Sequence, residues 1–107
     1  MTKSKYSVTF DSSSLDWTKS RKYNVVLLKA IEHHCNFMLK VRGHLLLNDV
    51  FDELNMPRTK EGSMVGWMYD EKHYVDNFIC FDINERGTHP NVVLNFNVDG
   101  EILSKIY

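Results

Sequence analysis

Residues 24–42 read NVVLLKAIEHHCNFMLKVR, and the period of that stretch decides the fold. At about 100° per residue, Leu27, Ile31, Cys35 and Met38 fall on one side of a helix, and Leu28, Ala30, Leu39 and Val41 widen the stripe. Lys29, Glu32, His33, Asn36 and Lys40 converge on the opposite side. A stripe that wide on a helix that long needs a large apolar partner, and the chain after Arg42 is the material for it. Gly43 stands where a left-handed residue ends a helix. At the other end, Ser20 can cap a helix starting near Arg21, and Asn24 serves equally if residues 21–23 are irregular.

Upstream, Lys5 to Phe10 alternates in the period of a half-buried edge strand, with Tyr6, Val8 and Phe10 on one face. Asp11 to Ser14 break the pattern, and Trp17 is the natural anchor for the loop that follows. Downstream, His44 to Leu47 is a brief apolar segment. Asn48 then caps a second, shorter helix through Leu54 that Pro57 terminates. A helix pair joined near Gly43 invites a helix-turn-helix reading. The acidic Asp49, Asp52 and Glu53 stand where a recognition helix would present basic or amide side chains, which disfavours it.

From Ser63 the period becomes two: Met64, Gly66 and Met68 alternate against Val65, Trp67 and Tyr69, with a gap at Gly66 for something to pack into. Asp70 to Asp76 reads as a loop, Phe78 to Ile83 as a strand covered on both sides or central to the sheet, and Asn84 to Pro90 as a connection. Val92 to Val98, Asp99-Gly100 and Glu101 to Tyr107 read as a β-hairpin, with Gly100 in a bulge that sets Phe96 opposite Ile102. The expected architecture is α+β, a single domain over 1–107: a long amphipathic helix and a short helix packed on one face of a mainly antiparallel sheet of about five strands, closed by that hairpin.

Composition narrows the function classes. Lysine and arginine number 13 against 14 acidic residues, a formal charge of −1, so the chain as a whole has neither the basic excess of a duplex binder nor the acidic excess of a nucleic-acid mimic. No apolar run approaches the roughly 18 residues of a membrane span. With no apolar leader block at its start, a cytoplasmic protein is expected. Cys35 and Cys80, without close pairing in sequence, read as structural thiols, and no cofactor is expected.

No phosphate loop, nucleophile elbow, zinc signature or dinucleotide fingerprint is present, and the faint phosphate-loop flavour of Arg58 to Gly62 lacks the upstream glycine and following helix. Adjacent His33 and His34 point about 100° apart and cannot share a metal. His34 lies on the apolar flank. His33, beside Lys29 and Lys40, could contact phosphate or serve RNA cleavage, although an ordinary solvated face explains it too. His73 and His89 carry no specific signal, and Asp49, Asp52 and Glu53 suit a helix start as well as a hard cation. Aromatic residues exceed what one small core hides: Trp17, Trp67, Tyr69, Tyr74 and Tyr107. The Trp67 and Tyr69 face is either outward and partner-ready or packed under the long helix. The candidate partner-binding residues are therefore Trp67, Tyr69, Tyr74, Lys29, His33, Lys40, Arg58 and Lys60.

Gly43, Leu46 to Val50, Pro57 to Gly62 and the Val65-Gly66-Trp67 core resemble a family of small uncharacterised proteins carried by phages and conjugative elements of Gram-positive bacteria. The run Leu94 to Gly100 is similar to that family's closing hairpin. Small proteins of such elements include anti-CRISPR inhibitors of type II effector nucleases, which this chain resembles in size and style. The resemblance implies a mobile-element accessory protein that binds a CRISPR effector nuclease or its guide RNA in the host cytoplasm. Because the chain is not acidic, contact through aromatic and mixed-charge surface is expected instead of DNA mimicry. The alternatives are a factor that binds or cleaves guide RNA, and a DNA-binding regulator of the element.

Overall fold

The computed structural model describes residues 6–69, 78–84 and 87–106. The expected loop at 70–76 with Tyr74 and His73, and Tyr107, lie outside the described residues. In order the elements are β1 (Ser7–Phe10), α1 (Arg21–Arg42), β2 (His44–Leu46), α2 (Leu47–Glu53), a single 3₁₀ turn (Glu61–Ser63), β3 (Val65–Met68), β4 (Val92–Asn95), β5 (Gly100–Glu101) and α3 (Leu103–Ile106). The class is α+β, with a long helix, shorter helices and antiparallel strands. The strands form two small sheets instead of one of about five: β1 pairs with β4, and β3 lies between β2 and β5.

The helix begins where Ser20 allows. The Ser20 Oγ accepts from Tyr23 N at 3.2 Å, so residues 21–23 are helical. Gly43, at φ 83°, closes the other end with its N–H on Leu39 O at 2.8 Å. The chain then turns straight into β2, which separates the two helices and removes the helix-turn-helix arrangement. In α2 the cap is Leu46, with Asp49 Oδ2 accepting from its N–H at 3.0 Å. Asn48, read as the cap, is buried inside the helix and holds the backbone of Thr59 from both sides, donating to its carbonyl at 2.8 Å and accepting from its N–H at 2.9 Å. The gap at Gly66 is filled by a neighbouring strand: a Cβ there would stand 2.1 Å from Leu45 O.

Two expected elements do not form. Phe78 to Ile83 is not a laddered strand, because Asp82 takes a left-handed φ of 52° and turns the chain out of any strand path. The closing hairpin is absent as well. After β4 the chain crosses to the other sheet, where Asp99 N donates to Gly66 O and Ile102 N to Met64 O, both at 2.9 Å. The free edge of β3 takes Gly100–Glu101, so they do not fold back on β4. Glu101 then accepts from Ser104 N and Oγ, each at 2.9 Å, and starts the α3 turn where a return strand was expected.

The core lies between α1, α2 and the two sheets, built from Phe10, Leu28, Leu39, Phe81, Leu94 and Phe96 among others. Phe96 takes Phe51 and Phe81 edge-on at 5.8 and 5.4 Å.

Candidate functional site

The orientation of α1 determines which of its residues are available to a partner. At its start, Arg21 clamps the loop after residue 83, donating through Nη1 to His89 O at 2.7 Å and Asn91 O at 3.0 Å and through Nη2 to Asn84 O. Asn24, fully buried, joins Thr18 to Pro90 O, to which it donates at 2.9 Å. At mid-helix, Asn36 grips Ile79 from both sides: its Nδ2 donates to Ile79 O at 2.9 Å and its Oδ1 accepts from Ile79 N at 2.7 Å. Four residues earlier, Glu32 Oε2 accepts from Phe81 N at 2.8 Å. The spacing explains the fit, since four helical residues rise about 6 Å and two extended residues advance about 6.6 Å. Glu32 and Asn36 thus stand in for a neighbouring strand, and Asn95 N on Phe81 O and Asn97 on Phe78 O and Cys80 N complete the pairing from the other side.

This docking rolls the helix. Leu28, Cys35 and Leu39 define the buried centre, about 60° round from the stripe centre expected from Leu27, Ile31, Cys35 and Met38. Glu32 and Asn36, expected outside, point in. Residues on the far side are correspondingly exposed: Tyr23 by 54%, Val26 by 62%, Phe37 by 62% and Val41 by 67%. With Ala30 they fall within an arc of about 60°, an apolar stripe in two parts, 23–30 and 37–41, with the exposed His33 and His34 between them. Alongside it, in the next arc of about 40°, run Lys22, Lys29, His33 and Lys40, all exposed.

The charge is as one-sided as the apolar surface. Residues 21–42 hold Arg21, Lys22, Lys29, Lys40 and Arg42 against Glu32 alone, so 5 − 1 gives +4, and the remainder of the chain holds 8 − 13, or −5. The lone acid is the one turned inward. Arg21, Lys22, Val25, Val26, Lys29 and Gly87 line a groove of about 400 Å³ beside the stripe.

The expected site residues separate into groups. Lys29, His33 and Lys40 share the outward face of α1. Trp67 does not belong to any surface: it is fully buried, its Nε1 donating to Asn97 O and Oδ1 at 3.1 Å, and of the two placements open from sequence the core has won. Tyr69 is half-buried against the same core. Arg58 and Lys60 are exposed on the loop after α2, where Arg58 Nε donates to Asp52 Oδ1 at 2.9 Å. That pairing holds the Asp52 carboxyl below its ordinary range and the Arg58 guanidinium above its own. Tyr74 lies outside the described residues. Tyr23, Val26 and Phe37 were not singled out from sequence, and their signal is their shared helical spacing with Ala30 and Val41.

Other chemistry is dispersed. Asp49 caps α2, Asp52 takes Arg58, and Glu53 faces His34 at 3.8 Å. Among the described residues, no group of three or more His, Cys, Asp or Glu gathers to hold a metal ion. Burial, with the charges of Glu53, Glu32 and Asp49, pushes the Cys35 thiol up to about 12. A cavity of about 600 Å³ between β4 and the Arg21-held loop has Asn95 in its wall. No helix among the described residues is long and apolar enough to cross a membrane.

The profile of one protein family, a family of unknown function designated DUF6353, matches residues 1–106. No curated protein and no solved structure matches the chain.

Proposed function

The chain belongs to the DUF6353 family of unknown function, and we propose that it works by binding: an accessory protein of a mobile genetic element that docks on and inhibits a bacterial defence effector through the outward face of α1. The carrying observation is that face, an exposed apolar stripe in two parts that together extend over about 27 Å at the helical rise, bordered by cations, on a helix held from behind by Arg21, Asn24, Glu32 and Asn36. Burying such a stripe against a partner gains apolar area without unfolding anything, because the core is complete behind it. The resemblance to proteins of phages and conjugative elements selects the first effector to test, a type II CRISPR nuclease with its guide RNA.

In the test, effector, guide and target DNA are combined with this protein or with Val26→Asp/Phe37→Asp, which alters only exposed positions. Inhibition by the parent protein, loss of it in the variant and an intact guide support the proposal. Equal inhibition by both proteins removes α1 from the interface. Shortened guide transfers the function to RNA, the reading favoured by the line of Lys29, His33 and Lys40, and makes His33 the first residue to replace. Failure of the parent protein to associate with the effector refutes that choice of target.

A further inference from the structure

We infer that the occupant of the outward face of α1 is an acidic amphipathic helix of a partner protein, its apolar stripe on Val26, Phe37 and Val41 and its carboxylates along Lys22 and Lys40. The inference rests on the reading of this face as a docking surface and specifies what docks there.

Shape comes first. The exposed stripe extends over about five turns, and its members stand at successive intervals of three, four, seven and four residues, spacings that a second helix matches along its length. The groove beside it has Val25 and Val26 among its walls and the exposed Lys22 at its rim, so it suits an apolar anchor whose neighbour carries a carboxylate.

Charge then selects the occupant. The outward face of α1 carries no carboxylate, since Glu32 is engaged with Phe81 N. A second copy of this chain is a poor fit for that reason. Antiparallel self-pairing would set the lysine flank against itself. Parallel pairing would set it against the His34 flank, where Glu53 already faces His34 at 3.8 Å. RNA would satisfy the cations, but it would leave Val26, Ala30 and Val41 with nothing to do, because bases are held by stacking on rings and phosphates by charge. An acidic amphipathic helix uses both the aliphatic centre and the cationic border.

The probe is a synthetic peptide of about three heptads with Leu at a and d and Glu at e and g. It is compared with its twin carrying Lys for every Glu and with a uridine oligomer of about 20 nucleotides. Each is titrated into the full chain by fluorescence anisotropy, with amide NMR shifts locating the contact. The expected result is saturable binding of the acidic peptide, tighter than its basic twin by about tenfold or more, with shifts centred on the outward residues of α1. Lys22→Glu/Lys40→Glu should weaken it by about tenfold or more, and added salt should weaken it further. Val26→Ser/Phe37→Ser should abolish it while the circular dichroism spectrum is unchanged.

Equal affinity for the two peptides overturns the inference. So does uridine binding at α1 without peptide binding, or a dimer in sedimentation equilibrium that Val26→Ser/Phe37→Ser dissolves. In each of those cases the face still docks something, so the broader proposal stands. If no probe, no second copy and no effector perturbs α1, both fall together.

Discussion

The two faces of α1 are built from much the same residue types and serve opposite ends. The inward face combines Leu28, Cys35 and Leu39 with the polar Glu32 and Asn36; the outward face combines Val26, Phe37 and Val41 with lysines. Hydrophobicity alone does not separate them. What separates them is the segment 79–81, whose backbone has no strand neighbour on the helix side and takes Glu32 and Asn36 in that role. An unpaired buried amide costs about 1–3 kcal/mol, comparable to burying a large apolar side chain. Backbone demand can therefore roll a helix about its axis and leave an apolar stripe in water.

The sharpest contrast is chemical. With its pKa near 12, the Cys35 thiol is almost entirely protonated at pH 8. It should react with a disulfide reagent at least about 50-fold more slowly than an unperturbed thiol of pKa ~8.5, the scarcity of thiolate outweighing its greater nucleophilicity. The half-buried Cys80 should be labelled first. The sign of the linked stability follows: the folded pKa is raised, so the contribution is complete below about pH 8.5 and is lost as pH rises toward 12. Equal labelling rates for the two cysteines would mean that the inward face opens readily.

Next in size is a comparison of neighbours. From periodicity Leu27 sits at the centre of the stripe and Leu28 at its margin; in the structure Leu28 is fully buried and Leu27 half-buried. Leu28→Ala should therefore cost ~3 kcal/mol in denaturant unfolding and Leu27→Ala about half that. The reverse order would put the stripe back where periodicity alone places it. A smaller effect is expected at the polar clamp. Asn36→Ala leaves both Ile79 N and Ile79 O without their partner, a loss of ~2 kcal/mol, and amide exchange should quicken at Ile79.

Much of the fold was readable from sequence where a single residue carries a local rule. Ser20 and Gly43 bound α1, Gly66 marks a backbone approach, and the alternation around Val8 marks an edge strand. The failures share a cause: the deciding interaction was non-local and polar. Phe78 to Ile83 has the composition of a strand, but Asp82 breaks it and side chains of α1 complete its bonding. Asp99-Gly100 has the signature of a hairpin, but the edge of β3 competes for it. The candidate site was half legible. Lys29, His33 and Lys40 were visible as a line, whereas Val26 and Phe37 were not, because an exposed apolar residue announces itself only once the burial direction is known. The whole-chain charge of −1 also concealed +4 on one helix.

The smallest stability effect is expected where the functional stake is greatest. Phe37 is 62% exposed and Val41 67%, so Phe37→Ser and Val41→Ser remove little area that folding had buried. Each should change unfolding free energy by no more than about 0.5 kcal/mol, as at other surface positions away from caps and clamps. Serine has nearly the same helix propensity as phenylalanine and valine, so the helix itself adds no loss of its own. A loss of ~2 kcal/mol or more at either position would mean that the stripe is packed against its own chain, and α1 would then have no outward apolar face to offer. Near-neutral values, measured in the same series as Leu28→Ala, would show that this apolar surface contributes little to the fold and that α1 keeps it available to a partner.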